Sequence, residues 1–340
     1  MTGKGVRTMT KVAINGFGRI GRATFKVVRE TPELELAAIN DIAPVENLAY
    51  LLNYDTAYGR YEERVEVEDG NLVVGDEEYT FLQVKDPTQL PWDEMEVDIV
   101  FECTGIFRTG EDLKKHLEAG AKFAILSAPP KSEDVPTVVH GVNVPSGETR
   151  TVSCASCTTN SITPVVEVMR RRLGVQKAML TTIHAYTSSQ SIVDAPSKKT
   201  RRGRAGAANL VPTSTGAAIA TTKALPELAG RFDGVAVRAP IPVGSISDLI
   251  FLTKEETTVE EVNAIFREEA ESDQYKGILG VTDDPIVSSD IVGDPHATVV
   301  DLGMTTVVDG NMVKLMAWYD NEWGFTNQMI REALRIAETL

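Results

Sequence analysis

Cysteine is scarce in this 340-residue sequence. There are three, an odd number too small for a disulfide framework, so a reducing cytoplasmic setting is expected. Long apolar runs are missing too: none approaches the ~18 residues that a membrane helix needs, which argues against a spanning protein. Basic charge is in deficit, with Lys+Arg 34 against Asp+Glu 49, a net charge of -15 and a pI near 4.8. Such a field repels phosphate backbones, so nucleic acid is not expected as a partner. Met1 to Thr10 lacks the apolar core of a signal peptide, and residues 1–8, ahead of Met9, read as a disordered tail or an upstream start. Internal repeats and low-complexity tracts are absent.

What is present fits a globular protein: 42% hydrophobic and 24% charged residues, with ordinary counts of Gly (26) and Pro (16). At ~100 to 200 residues per domain, the length predicts two domains. The acid excess is spread over stretches such as Tyr61 to Asp69 and Glu255 to Glu271 rather than gathered in a tail. That surface suits concentrated salt, where screening removes self-repulsion.

Lys11 to Asn15 is a short apolar run that breaks into Gly16-Phe17-Gly18-Arg19-Ile20-Gly21-Arg22, after which Thr24 to Arg29 has helical spacing. Leu34 to Asn40, ending in Asp41, closes a first β-α-β unit. Val97 to Cys103 and Lys122 to Ser127 read as two more strands around a helix at Glu111 to Ala119, with Thr109 as its cap and Gly120 as its stop. This alternation predicts a Rossmann-type α/β domain with a doubly wound parallel sheet. Around Val152 to Val168 the character changes, and a helix runs through Val165 to Leu173. Strand-like segments follow at Lys177 to Tyr186, Gly234 to Pro240, Leu249 to Thr253, Ala297 to Met304 and Asn311 to Trp318. Their alternation predicts an α+β domain with a mixed or antiparallel sheet. Thr187 to Asn209 is an irregular stretch longer than ordinary connections. Phe325, Met329, Ile330, Ala333, Leu334 and Ala337 share one face of a closing helix.

The GxGxxG segment gains weight from lying between a strand and a helix. Gly16 permits the tight turn, Gly18 admits a pyrophosphate to the backbone, and Gly21 lets the helix pack closely. Asp41, 20 residues beyond Gly21, stands where a carboxylate would bind the adenine ribose hydroxyls. Cys157 lies in Ser153-Cys154-Ala155-Ser156-Cys157-Thr158-Thr159-Asn160, just before a helical pattern. A helix N-terminus favours thiolate over thiol, which makes Cys157 the candidate nucleophile. Cys154 and Cys157 also form a CxxC, but neither a second CxxC nor paired histidines complete a zinc site, and no metal is expected. Of the four histidines, His116 sits on the Lys-rich helix and reads as solvated, and His140 and His296 lie near turns. His184, leading into Tyr186-Thr187-Ser188-Ser189, is the candidate base. Lys198, Lys199, Arg201, Arg202 and Arg204 form a basic run in the long loop, where they could meet an anionic substrate or a neighbouring subunit.

From about Val12 to the C-terminus the chain resembles the phosphorylating glyceraldehyde-3-phosphate dehydrogenase family. The resemblance rests on Asn15 to Arg22, Glu102-Cys103-Thr104-Gly105, Ala155 to Asn160, His184-Ala185-Tyr186-Thr187, Pro212-Thr213-Ser214-Thr215-Gly216 and Trp318 to Gly324, all in the family's order. It implies that Cys157 attacks the aldehyde with His184 as base, that hydride passes to nicotinamide, and that inorganic phosphate cleaves the resulting thioester. By the same resemblance Thr187 and Arg238 hold the substrate phosphate, while Ser156, Thr158, Arg202, Thr215 and Gly216 surround the attacking phosphate and the reacting centre. Gly16, Gly18, Arg19, Ile20, Gly21, Asp41, Thr104, Gly105, Ser127 and Asn321 hold the cofactor, and Lys85 stands where an Arg often contacts it. Residues 1–156 would form the dinucleotide-binding domain, completed by 320–340, and 157–319 the catalytic domain. The family is usually a homotetramer whose long loop, here about Tyr186 to Asn209, meets a neighbouring subunit.

Departures from the family pattern are Ser189 for a common Asp, Ser161 for a frequent second Cys, and Cys154 for an Asn. Asp41 would repel the 2'-phosphate of NADP, so NAD is the expected cofactor, with NADP possible because Ala195-Pro196 replaces the Leu-Pro of strict NAD enzymes. Three alternatives remain at this point. They are an erythrose-4-phosphate dehydrogenase using water in place of phosphate, a non-catalytic dinucleotide-sensing protein, and a disulfide oxidoreductase using Cys154 and Cys157.

Overall fold

The first apolar run forms β1 (Thr10–Asn15) in the computed structural model, which describes residues 9–145 and 147–340. The expectation for residues 1–8 lies outside the described residues. Two units divide the chain: one runs to Pro136 and takes in Pro145–Cys154 and Met329–Leu340, and the other comprises Thr137–Val144 and Ala155–Gln328. The sequence-based division placed 155–156 and 320–328 in the first, and with them all of 137–144. That segment belongs with the second because Gln274 donates to the Gly141 carbonyl (2.9 Å) and Ile278 packs on Gly141.

In the first unit α1 (Arg19–Arg29) follows the glycine turn and leads to β2 (Leu34–Asn40) and α2 (Val45–Asn53). A small ribbon, β3 (Tyr54–Asp55) with β4 (Gly59–Arg60), precedes a meander of β5 (Val65–Glu68), β6 (Asn71–Val74) and β7 (Glu77–Leu82). Then come β8 (Ile99–Glu102), α3 (Gly110–Glu118), β9 (Phe123–Leu126) and β10 (Thr151–Ser153). The described strands form an eight-stranded sheet in the order β10-β9-β8-β1-β2-β7-β6-β5. Its pairs are parallel from β10 through β7, and antiparallel from β7 to β5. All residues of β8 and β9 are buried, as expected of parallel strands covered on both faces. The antiparallel meander was not foreseen, since Tyr61 to Asp69 read only as an acidic surface. Its signal was Asp69-Gly70, both at positive φ, which joins β5 to β6 by a two-residue turn.

Helix α3 starts as the sequence predicts: Thr109 Oγ1 accepts from Asp112 N (3.2 Å) while Asp112 Oδ2 accepts from Thr109 N (3.0 Å). His116 on that helix contradicts the solvated reading. It is fully buried, because the face opposite Lys114 turns inward onto Trp92 and Glu102.

In the second unit α4 (Cys157–Leu173) precedes β11 (Val175–Ala185), β12 (Val211–Ser214), α5 (Ala217–Ala224), β13 (Phe232–Ala239) and β14 (Ser245–Thr253). Then follow α6 (Val259–Ala270), β15 (Leu279–Thr282), β16 (Thr298–Val308) and β17 (Met312–Tyr319), after which α7 (Trp323–Ala337) begins in this unit and passes at Met329 into the first. The described strands make a seven-stranded mixed sheet, order β12-β13-β11-β14-β17-β16-β15, with only β11/β13 and β15/β16 parallel. One face is packed by α4, whose Val165, Val166 and Met169 join Leu180, Leu249 and Phe251 in the core. The other face leaves Met179, Val235, Ile250 and Met312 exposed. Glu255 to Glu271 is not wholly a solvated stretch, for it contains the whole of α6. Glu269 is buried there and takes ion pairs from Arg171 and Arg172, both at 2.7 Å. The long loop carries two single turns, Thr200–Gly203 and Gly206–Ala208.

Candidate active site and dinucleotide cleft

At the carboxyl ends of β1, β2 and β8 lies a cleft of about 650 Å³, lined by Gly16, Gly18, Asp41, Lys85 and Thr104 among others. Gly16 has φ +97°, and a Cβ there would fall 2.6 Å from the Thr104 nitrogen, so neither the backbone nor the space admits another residue. A Cβ on Gly21 would lie 1.9 Å from the Gly16 carbonyl oxygen, which fixes how closely α1 meets the turn. Gly18 faces open space and caps α1 without a side-chain hydrogen bond, leaving the first helical amides available to an anion. These features fit a dinucleotide pyrophosphate.

Asp41 is locked at the cleft, its Oδ2 accepting from Phe17 N (2.6 Å) and its Oδ1 from Ala43 N (2.9 Å). Arg19 and Ile20 occupy the first turn of α1, with Arg19 paired to Asp55 at 2.7 Å. Gly105 follows Thr104, and Ser127 N donates to the Glu102 carbonyl (3.0 Å) just beyond β9. Arg19, Ile20, Gly21, Gly105 and Ser127 do not line the cleft. Asn321 lies in the second unit, where its Oδ1 accepts from Gly244 N (3.2 Å) and Ser245 Oγ (3.0 Å). Sequence reasoning missed Asn40, Phe107 and Lys115 as lining residues. Lys115 over the Phe107 ring (5.3 Å) had no local signal, because helical spacing sets it among surface lysines.

The thiol site belongs to the second unit. Ser156 caps α4 by accepting from Thr159 N (3.2 Å), which places Cys157 as the first helical residue. Its Sγ is 3.3 Å from His184 Nε2. His184 ends β11, and the parallel register of β11 with β13 sets Arg238 directly beside it. Arg238 Nη1 lies 2.7 Å from His184 Nδ1 and donates to the Ala185 carbonyl (2.8 Å), while His184 Nδ1 is also 2.7 Å from that oxygen. Burial, reinforced by the Arg238 charge, pushes the imidazole down to about 3. Burial also pushes the Cys157 thiol up, against the opposing pull of Arg238 and of the helix amides. Desolvation thus opposes the thiolate-favouring pull of the helix end that the sequence leads one to expect.

Arg202 donates from Nε to Thr213 Oγ1 (3.0 Å) and from Nη1 to Ser189 Oγ (3.2 Å), and Ser189 in turn shares a hydrogen bond with Thr187 (2.9 Å). Burial holds both guanidinium groups below their usual value, and Arg238 adds repulsion at Arg202. The buried Arg238 Nε has no partner among the described residues. Two half-buried cations with hydroxyls for neighbours make a receptor for an anion. Elsewhere in the basic run, Lys199 donates to Ser214 (2.9 Å) and Arg204 pairs with Asp194 (2.7 Å). Thr215 and Gly216 open α5, with Thr215 Oγ1 accepting from Ala217 N (3.2 Å). Thr158 is buried, its hydroxyl bonded to Tyr319 (2.9 Å).

Tyr319 was not foreseen. Its hydroxyl also meets Thr182 (2.8 Å) and its ring stands edge-on to His184 at 5.9 Å, so it braces the base from behind. Its only signal was a place in the Trp318 to Gly324 segment. Cys154 is buried, with its thiol raised well above the usual value by desolvation, the opposite of what thiol exchange requires. Among the described residues no group of three or more His, Cys, Asp or Glu is arranged to hold a metal.

A Rossmann-type unit with a glycine cleft, together with a unit presenting a Cys-His pair beside two arginines, defines a dinucleotide-dependent oxidoreductase that works through a thiol. The NAD binding domain of glyceraldehyde 3-phosphate dehydrogenase matches residues 10–110, and the C-terminal domain of the same enzyme matches 156–321. The chain belongs to the glyceraldehyde-3-phosphate dehydrogenase family. It is 49% identical over 333 residues to the glyceraldehyde-3-phosphate dehydrogenase of Haloarcula vallismortis, covering 96% of this chain and 98% of that one. The Thermotoga maritima enzyme is 47% identical over 326 residues (95% and 97%), and that of Geobacillus stearothermophilus 45% over 330 (96% and 98%).

Proposed function

We propose that this chain converts glyceraldehyde 3-phosphate, NAD and inorganic phosphate to 1,3-bisphosphoglycerate and NADH, in glycolysis or gluconeogenesis. The observation that carries it is the Cys157–His184 contact at 3.3 Å beside the guanidinium groups of Arg238, with its buried Nε unpartnered among the described residues, and of Arg202, bonded to hydroxyls. Thr187 and Arg238 hold the substrate phosphate, and Ser156, Thr158, Arg202, Thr215 and Gly216 receive the attacking phosphate. Gly16, Gly18, Arg19, Ile20, Gly21, Asp41, Lys85, Thr104, Gly105 and Ser127 hold NAD, with Asn321 at its carboxamide.

Cys157 sulfur adds to the aldehyde carbon as its proton passes to His184 Nε2 and on to the new oxygen, giving a hemithioacetal. Neutral His184 then draws the hydroxyl proton from that carbon's oxygen. NAD, when bound, supplies the two-electron acceptor that makes the product a thioester. Phosphate held by the arginines attacks the thioester carbonyl, the C–S bond breaks, and the leaving sulfur recovers its proton from His184. Erythrose-4-phosphate dehydrogenase, dinucleotide-sensing and disulfide-exchange roles have no observation in their favour.

The locked Asp41 carboxylate supports NAD over NADP, through repulsion of a 2'-phosphate. A homotetramer is supported by the open apolar sheet face at Met179, Val235, Ile250 and Met312. No described helix is long and apolar enough to cross a membrane, and a cytoplasmic location accompanies the proposed reaction. The test is stopped-flow NADH formation with and without phosphate. A stoichiometric burst followed by phosphate-dependent turnover, both lost in Cys157→Ala, is expected; a burst that needs no Cys157 would overturn the thioester chemistry.

A further inference from the structure

Beneath the dinucleotide cleft lies a polar cluster that the reaction does not use. Glu102 and His116 have no exposed side-chain surface. Glu102 Oε2 accepts from Asn15 Nδ2 (2.6 Å) and faces His116 Nε2 (3.1 Å), and its Oε1 accepts from both the backbone nitrogen (2.8 Å) and the hydroxyl of Thr104. Trp92 Nε1 donates to His116 Nδ1 (3.2 Å). An indole can only donate, so Nδ1 must accept and the imidazole proton sits on Nε2, where it donates to Glu102. From Asn15 the chain of bonds continues through Asn40 Nδ2 to Asn15 Oδ1 (2.7 Å) and Val84 N to Asn40 Oδ1 (2.8 Å).

The outer members of this cluster, Asn15, Asn40, Val84 and Thr104, all line the cleft. Thr104 nitrogen, which Glu102 holds, is also the atom that a Cβ on Gly16 would approach to 2.6 Å. The same carboxylate thus grips the end of β1 through Asn15 and the segment after β8 through Thr104, and so sets the gap in which the glycine turn fits.

We infer that Glu102 and His116 are positioning residues for NAD: acting through Thr104 and Asn15, they hold the cleft at its binding width before the dinucleotide arrives. The inference rests on the proposal that this cleft takes NAD. Removing the imidazole donor would leave a buried carboxylate one hydrogen bond short and a buried indole N–H without an acceptor, and the cluster would rearrange to satisfy them.

The test compares the full-length native chain with His116→Leu, His116→Gln and Trp92→Phe, measuring NAD affinity by titration calorimetry, KM and kcat in turnover, and Tm without cofactor. In His116→Leu the Kd and KM for NAD are expected to rise about tenfold with a much smaller change in kcat at saturating NAD. His116→Gln, whose amide can donate where Nε2–H does, is expected to recover most of that affinity. Trp92→Phe, which removes only the group orienting the imidazole, covers the case in which the leucine variant does not fold, and a rise of about threefold is expected. Lower Tm with native NAD affinity in these variants would overturn the positioning role and leave a merely structural one. Failure of the native chain itself to bind NAD would instead overturn the cofactor proposal on which this one stands.

Discussion

The two sites handle charge in opposite ways. In the first unit the carboxylates at and beneath the cleft are already engaged: Asp41 by two backbone amides, Asp86 by the Thr88 amide, Glu102 by Asn15, Thr104 and His116. In the second unit two arginines are left open among the described residues, with Arg238 Nε buried and without a partner and Arg202 bonded to hydroxyls. One site is complete as folded and receives its ligand on backbone. The other holds unsettled charge that an anion must settle, which concentrates binding energy where the chemistry occurs.

The sharpest way to break this contrast is to delete the nucleophile. Cys157→Ala should lower kcat by roughly 10⁴-fold or more. NAD affinity, measured by calorimetry, should stay near native because Cys157 is not among the residues that line the cleft. Next in size, Arg238→Gln should cut kcat/KM for the aldehyde by about 10- to 100-fold, the loss of a charge-assisted contact to phosphate. It should also raise the His184 pKa, readable by NMR titration, since Arg238 is the second cause of its depression.

Asp41→Ala should weaken NAD binding by about tenfold and improve NADP use. Unchanged constants for both coenzymes would remove Asp41 from the discrimination. His184 supplies a test of stability against pH. Its folded value of about 3 lies below the ordinary 6.5, so in the window between them the unfolded chain binds a proton that the folded one refuses. The contribution is complete above 6.5 and is lost as pH falls toward 3. Tm should therefore drop on acidification from pH 7 to 5, and drop less in His184→Gln. The smallest expected effect is a Tm gain of a few degrees from low to molar KCl, as salt screens the net charge of -15.

Local features were legible in the sequence. Thr109 and Asp112 are three residues apart and Gly16, Gly18 and Gly21 fall within one turn, so their meaning needs no fold. The helix end at Cys157 was equally legible, but the desolvation that opposes it was not, because burial of the thiol depends on the whole unit. His116 was misplaced for the same reason: its neighbours in sequence are lysines, and its neighbours in space, Trp92 and Glu102, come from other segments. Arg202 and Arg238 entered through family resemblance, and only the β11/β13 register explains why Arg238 meets His184. Tyr319 is 137 residues from Thr182 and 161 from Thr158, a separation no local pattern spans.

The meander that ends the first sheet bears on how copies of this chain can join. A free strand edge is a template for another strand, yet β5 offers Glu66 and Glu68, with Glu62, Glu63 and Asp69 close by, and all five are exposed. A second β5 laid alongside would bring like charges together at every alternate position. The opposite edge, β10, is three residues long. Growth by strand addition is thus discouraged at both borders of that sheet.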